Sequence, residues 1–408
     1  MAQDVEPRAR PGWMLLGPAF VAAIAYVDPG NVAANVSAGA QFGFLLVWVI
    51  VVANLMACLV QYLSAKLGLV TGHSLPEAVA ARMGRPSRLA YWVQAELVAM
   101  ATDLAEVVGG AIALYLLFDL PLLLGGVITG AVSLGLLVVK DRRGQRMFEH
   151  VITGLLLIIA VGFLTSLVAA PPPLADTAAG LVPRFGGTES VLLAAAMLGA
   201  TVMPHAVYLH SGLARDRHGH PAPGLPRRRL LRATRWDVGV AMLIAGAVNL
   251  AMLLVAATNL QGMTNTDSIE GAYDAVQGTL GHTVALLFAI GLLASGLASS
   301  SVGAYAGAMI MQGLLRKSVP LLARRLITLL PALVVLAIGI DPSRALVLSQ
   351  VVLSFGIPFA LIPLIRITAD SGLMGADVNH RVTTALGWIV AGLITLLNVV
   401  LIYLTFAS

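Results

Sequence analysis

Residues 25–36 read AYVDPGNVAANV, and they place a carboxylate, a proline, a glycine and two amides inside an otherwise apolar run long enough to cross a bilayer. The surrounding chain is 408 residues long, 58% hydrophobic and only 11% charged, against about 25% charged residues in soluble domains. Such a composition belongs in lipid, and it makes Asp28 expensive. A carboxylate at the centre of a span costs about 2.5–3.5 kcal/mol even on the lenient insertion scale, so it usually marks a pathway or a partner.

Working outward, each crossing needs about 20 apolar residues. On that basis hydropathy predicts eleven segments, at roughly 13–39, 44–70, 89–116, 121–139, 151–170, 189–213, 236–258, 281–315, 324–340, 345–366 and 382–406. The first lacks a small-residue cleavage site and reads as a retained helix. Nearly the whole chain is then one bundle, a single transmembrane domain over 1–408. The lone Cys58 can form no intramolecular disulfide and reads as a packing residue.

The net charge of +5 follows from topology rather than from a nucleic-acid partner. With the N-terminus inside, 23 of the 25 Lys and Arg residues fall at cytoplasmic ends and loops, and only Arg184 and Arg344 fall outside. This predicts a multi-pass cell-membrane protein with its N-terminus cytoplasmic and its C-terminus extracytoplasmic. The loop RDRHGHPAPGLPRRR (Arg215 to Arg229) reads as a flexible connector rather than a metal tract.

The sixth segment repeats the peculiarity of the first. It is broken at Met203-Pro204-His205 as the first is at Asp28-Pro29-Gly30-Asn31, and five segments separate the two starts, so the two run in opposite directions. That is the arithmetic of an inverted repeat, five helices plus five, with 13–170 as the first half, 189–366 as the second and 382–406 as an added helix. Proline removes an amide donor, and a non-helical stretch at mid-membrane survives only where it lines a polar cavity or a ligand replaces the lost bonds. Two broken helices therefore predict one shared site.

Its donors suggest the ligand. Asp28 supplies charge, the Asn31 amide and freed carbonyls supply hard neutral oxygens, and Met203 supplies a soft sulfur, a set that favours a divalent cation. The thioether adds little for Mg²⁺ or Ca²⁺ and more for Mn²⁺, Fe²⁺, Co²⁺ or Cd²⁺. His205 leaves three roles open: ligand, proton carrier or structural hydrogen-bonding residue. An imidazole ligand would tilt the site toward tight Zn²⁺ or Cu²⁺ binding, which favours a proton or gating role.

In the third segment Glu96, Asp103 and Glu106 fall within an arc of about 80° on one helix face. A buried row of carboxylates can relay protons or pair with cations, and Arg324 and Arg325 at the start of the ninth segment are the candidate partners. Both can hold, with Asp103 as the expected first proton acceptor. Gln350 in the tenth segment, a polar residue in an apolar span, reads as an interhelical partner that a rearranging site could recruit. His210 and Asn249 could line an access path or make structural bonds.

DPGN, MPH, DLAEVVG and GLASSSVGAYAGAMIMQG (Gly296 to Gly313), in this order and spacing, resemble the Nramp family of proton-coupled divalent metal transporters, and the resemblance covers essentially the whole chain. It implies an all-α, LeuT-like integral membrane protein that carries Mn²⁺, Fe²⁺ and similar ions into the cytoplasm with protons by alternating access. Carried over, Asp28, Asn31 and Met203 are side-chain metal ligands, the Ala25 and Ala200 carbonyls contribute as the site changes shape, and Gln350 joins in an occluded state. His205, Asp103, Glu106, Arg324 and Arg325 belong to the proton route, with Asp28 linking it to the metal and Glu96 sharing its helix face. The metal is cargo, no cofactor is expected, and the partners are divalent ions, protons and the lipid bilayer, with no protein partner evident. Two departures stand out: Ala206 where the family usually has Asn, which removes an amide from that position, and Leu297 where Gln is frequent.

A sodium-driven carrier of organic solutes would leave Met203 and the acidic stripe without purpose. An intramembrane enzyme finds no support, because His-Glu-x-x-His, Gly-x-Ser-x-Gly and a convincing Ser–His pairing are all missing from the sequence.

Overall fold

The structure is a computed structural model that describes residues 17–263, 268–316 and 321–407. The expected N-terminal entry to the first span at 13–16, and the basic residues Arg8, Arg10 and Lys317, lie outside the described residues. All regular structure among the described residues is helical. In chain order the helices are α1 (Pro18–Ala23), α2 (Pro29–Phe42), α3 (Val47–Thr71), α4 (Leu75–Ala80), α5 (Arg85–Phe118), α6 (Leu122–Arg143), α7 (Gln145–Ala169), α8 (Leu174–Ala179) and α9 (Thr188–Thr201). There follow α10 (Pro204–His218), α11 (Leu225–Asn259), α12 (Ile269–Leu280), α13 (His282–Leu315), α14 (Leu321–Ile338), α15 (Pro342–Thr368), α16 (Ser371–Met374) and α17 (Arg381–Ala407).

Both expected breaks are present. Between α1 and α2 a 3-10 turn (Ile24–Tyr26) leads into Val27 and Asp28, and between α9 and α10 the chain leaves the helix at Val202 and Met203. The local reason is the same twice. Pro29 and Pro204 each start the following helix, where a fixed φ is already helical and a missing N–H costs nothing, and the residue before each is forced into extended geometry. Asp28 has φ −70° and ψ 167°, and Met203 has φ −74° and ψ 126°.

Every predicted segment contains a helix or a pair of helical pieces, yet by length and apolarity alone eight stretches among the described residues qualify as crossings, or nine when the bent pair Val352–Thr368 and Ser371–Asp377 counts as one. One of the eight, Pro29–Thr71, is 43 residues long. As a straight helix it would reach about 65 Å, twice the roughly 30 Å hydrocarbon core. Gly43, at φ 57°, ends α2 and opens a 3-10 turn before α3, so this stretch holds the second part of the broken first segment and the whole of the second.

Two large cores and a smaller cluster hold the described residues together. One large core gathers α1, the unwound turn, α5, α7, α11 and α13; the other gathers α3, α9 and α15, and α10 contributes to both. The broken stretches lie where these cores meet. α2 packs on both α11 and α9, and α10 packs on both α3 and α13.

Candidate metal site and its polar surroundings

Asp28 caps α2, but it spends only one oxygen on the task. Its Oδ1 accepts from the Asn31 backbone N–H at 2.8 Å and from Asn31 Nδ2 at 2.6 Å. Its Oδ2 is buried with no partner. Asn31 then ties the two breaks together, since its Nδ2 also donates to the Ala200 carbonyl at 3.0 Å and its Oδ1 lies 3.4 Å from Thr201 Oγ1. Met203, the residue before Pro204, is completely buried at the start of α10.

The carbonyls of the breaks have different fates. The residues four positions after Ala25 and Ala200 are Pro29 and Pro204, so neither carbonyl has a helical donor to meet. The Tyr26 carbonyl accepts from Asn249 Nδ2 at 2.7 Å, and Asn249 Oδ1 accepts in turn from Asn35 Nδ2 at 2.8 Å. The Val27 carbonyl accepts from Ser295 Oγ at 2.5 Å. Helices α11 and α13 thus hold the unwound strand by side-chain bonds, and Asn249 takes the structural of its two expected roles.

Gln350 reaches the same spot from α15. A Cβ built on Gly30 would strike Gln350 Nε2 and stand 3.3 Å from Asp28 Oδ2, so the amide and the free carboxylate oxygen flank one glycine. Neither Gln350 Oε1 nor Nε2 has a partner. Burying a polar group unpaired costs about 1–3 kcal/mol, more when it is charged. Three such atoms converge, and Asn31 links the same carboxylate to the proline-freed Ala200 carbonyl; their oxygens are of the kind that makes up a cation's coordination shell. Among the described residues no group of three or more His, Cys, Asp or Glu side chains is placed to hold a metal ion. Asp28 is therefore the one carboxylate among these convergent atoms.

His205, one residue beyond Pro204, has Nδ1 3.5 Å from Thr102 Oγ1 and a buried, unpartnered Nε2. Thr102 precedes Asp103 on α5, so the imidazole stands between the break and the acidic stripe. The stripe is divided in its pairing. Arg325 bonds Asp103, Ser300 and Ser133, the last through Nε at 3.1 Å and through a terminal nitrogen at 2.8 Å. Arg324 pairs with Glu96 at 2.9 Å and donates to the Ala304 carbonyl at 3.2 Å. Glu106 is fully buried, and both of its oxygens lack partners. Asp103, the expected first acceptor, is thus already engaged by a guanidinium, whereas Glu106 is the unengaged acid of the three. His210 bonds Gln61 Oε1 at 2.7 Å, and Gln61 Nε2 donates to Tyr26 Oη at 2.6 Å, so His210 anchors the unwound turn through Gln61.

Sequence reasoning singled out the acids and the breaks but not the residues that position them: Asn35, Ser295, Ser133, Ser300 and Gln61. Polar side chains in apolar spans were the available signal. For the two carbonyls, the spacing of Ala25 to Pro29 and of Ala200 to Pro204 carried it.

Helices throughout the described residues, with two broken ones meeting across the middle, define a LeuT-like fold. The fold alone extends to MhsT in complex with L-phenylalanine, at 16% identity, TM-score 0.61, and coverage of 97% of this chain and 99% of that one. Residues 19–404 match the profile of the Nramp family, described as natural resistance-associated macrophage protein-like. The divalent metal cation transporter MntH of Mycobacterium tuberculosis (strain ATCC 25618 / H37Rv) is 72% identical over 405 residues, 99% of this chain and 95% of that protein. A crystal structure of the Eremococcus coleocola manganese transporter, in complex with an aromatic bis-isothiourea substituted compound, superposes with TM-score 0.86 at 32% identity, covering 96% of this chain and 87% of that one. The chain belongs to the Nramp family.

Proposed function

We propose that this protein carries divalent transition-metal ions, Mn²⁺ and Fe²⁺ among them, across the cell membrane into the cytoplasm by proton-coupled alternating access. The observation that carries the reading is the convergence of Asp28 Oδ2 and the Gln350 amide, all buried and unpartnered, with Asn31 bridging the same carboxylate to the Ala200 carbonyl. Asp28, Asn31 and Met203 bind the ion with the Ala25 and Ala200 carbonyls, and Gln350 closes over it. Met203 sets the preference for polarizable ions over Ca²⁺ and Mg²⁺.

The positive-inside distribution of Lys and Arg orients the chain with its N-terminus in the cytoplasm. The halves 13–170 and 189–366 rock against each other around the site. An inside-negative potential contributes about 2.3 kcal/mol per charge per 100 mV to inward movement of the dication. Asp28 couples the two ions, because a bound dication expels a proton from it. Glu106 stands open to receive that proton, and His205, Asp103 with Arg325, and Glu96 with Arg324 continue the route.

The test is Mn²⁺ uptake and internal acidification in proteoliposomes, for the wild type and Met203→Ala. The reading expects Ca²⁺ to compete with Mn²⁺ in the variant and not in the parent. Equal discrimination by the two proteins would refute the selectivity account, and Mn²⁺ uptake without acidification would refute the coupling.

A further inference from the structure

The start of α11 lies outside this account. The helix is 35 residues long, which is about 52 Å against a hydrocarbon core of roughly 30 Å, so about fifteen residues project beyond the lipid chains. One face changes character along its length. Arg228, Arg229, Arg232 and Arg235 are exposed; Trp236 follows at 69% exposure and Leu243 at 68%. At about 100° per residue all six fall within an arc of roughly 120°.

Tryptophan concentrates at the membrane–water boundary, so Trp236 marks the depth at which this face passes from headgroups to acyl chains. The four arginines then lie at the level of the lipid phosphates. Arg227, just before them in sequence, turns inward instead, to the Pro221 carbonyl and to Asp377 at 3.2 Å. Among the described residues, Arg228, Arg229 and Arg232 have no acidic partner. Arg235 lies over the Tyr62 ring, 5.1 Å from its centroid, where the guanidinium is steadied on α3.

We infer that the projecting turns of α11 form a binding surface for an anionic phospholipid, whose phosphate is held by Arg228, Arg229 and Arg232 and whose chains lie along Trp236 and Leu243. The charge complementarity is direct, since guanidinium groups pair with phosphate oxygens in bidentate fashion. Continuity with the lipid-facing Leu243 separates a lipid from a soluble anion. A basic cluster bordering a membrane helix attracts anionic lipid by about fivefold per arginine.

Trp236 supplies the readout. The full chain is reconstituted with brominated phosphatidylglycerol or brominated phosphatidylcholine, and its fluorescence is compared with that of Trp236→Phe to isolate quenching at this residue. The expected result is preferential quenching by phosphatidylglycerol, reduced by about tenfold or more in R228Q/R229Q/R232Q and retained within about threefold in R228K/R229K/R232K. Loss in the lysine variant as well would assign the effect to folding or geometry and overturn the inference. So would equal quenching by both lipids, or the same loss in R142Q/R143Q/R146Q, which would make the preference one of bulk surface charge. Relief of quenching by inorganic phosphate alone would assign the patch to a soluble anion and also overturn it.

Discussion

Gly30→Ala tests whether Gln350 belongs to the ion site. At the second position of α2 alanine is the better helix former by about 1 kcal/mol, so the substitution does not weaken the helix itself. The new methyl strikes Gln350 Nε2 and lies 2.7 Å from Gln350 Cδ, which forces the amide away from Asp28 Oδ2. If that amide contributes to ion binding as a charge-assisted contact, its loss costs about 1.5–3 kcal/mol, or about 10- to 150-fold in the Mn²⁺ dissociation constant. Calorimetric titration of wild type, Gly30→Ala, Gln350→Ala and the double variant reads this directly. The double variant is expected to bind no more weakly than either single one, because both remove the same contact. Additive losses, or a Gly30→Ala protein that binds Mn²⁺ as tightly as the parent, would refute the assignment of Gln350.

Asp103→Asn leaves Arg325 buried beside a neutral partner and is expected to cost about 3–5 kcal/mol of stability, seen as a lowered unfolding temperature, with partial recovery in D103N/R325Q. Gly303→Ala places a methyl 2.8 Å from Glu106 Oε2 and displaces that carboxylate. Proton flux in proteoliposomes should then fall by about 5- to 150-fold while Mn²⁺ affinity changes little. Asn249→Ala strips the donor from the Tyr26 carbonyl and the acceptor from Asn35, and should weaken Mn²⁺ binding in the same titration by about 1–3 kcal/mol through a looser unwound strand.

The breaks were legible because proline acts locally: DPGN and MPH dictate extended geometry at Asp28 and Met203 whatever surrounds them. The grouping of Glu96, Asp103 and Glu106 was legible for a similar reason, since helical periodicity depends only on spacing. Which guanidinium meets which acid was not, because Arg324 and Arg325 are adjacent in sequence and point to different partners only once α14 is docked on α5 and α6. The isolation of Glu106 was equally hidden. Asp103 and Glu106 look interchangeable on the helix face, and only the bonds of Arg325 to Asp103, Ser133 and Ser300 separate them. The crossings were harder to count from helix length than from hydropathy, since the helical run Pro29–Thr71 is continuous through the turn at Gly43 whereas hydropathy divides it into two segments.

The paired prolines bear on speed. At Ala200 the place of a helical donor is taken by the Asn31 side chain, so a cation bound at this carbonyl as proposed would displace one rotatable amide and need not unravel a turn. Turning one side chain disturbs far fewer contacts than rearranging a helix in a packed bundle. Capture should therefore be paced by how fast the aquo ion sheds its water, and ions with sluggish water exchange should load more slowly even when they bind as tightly.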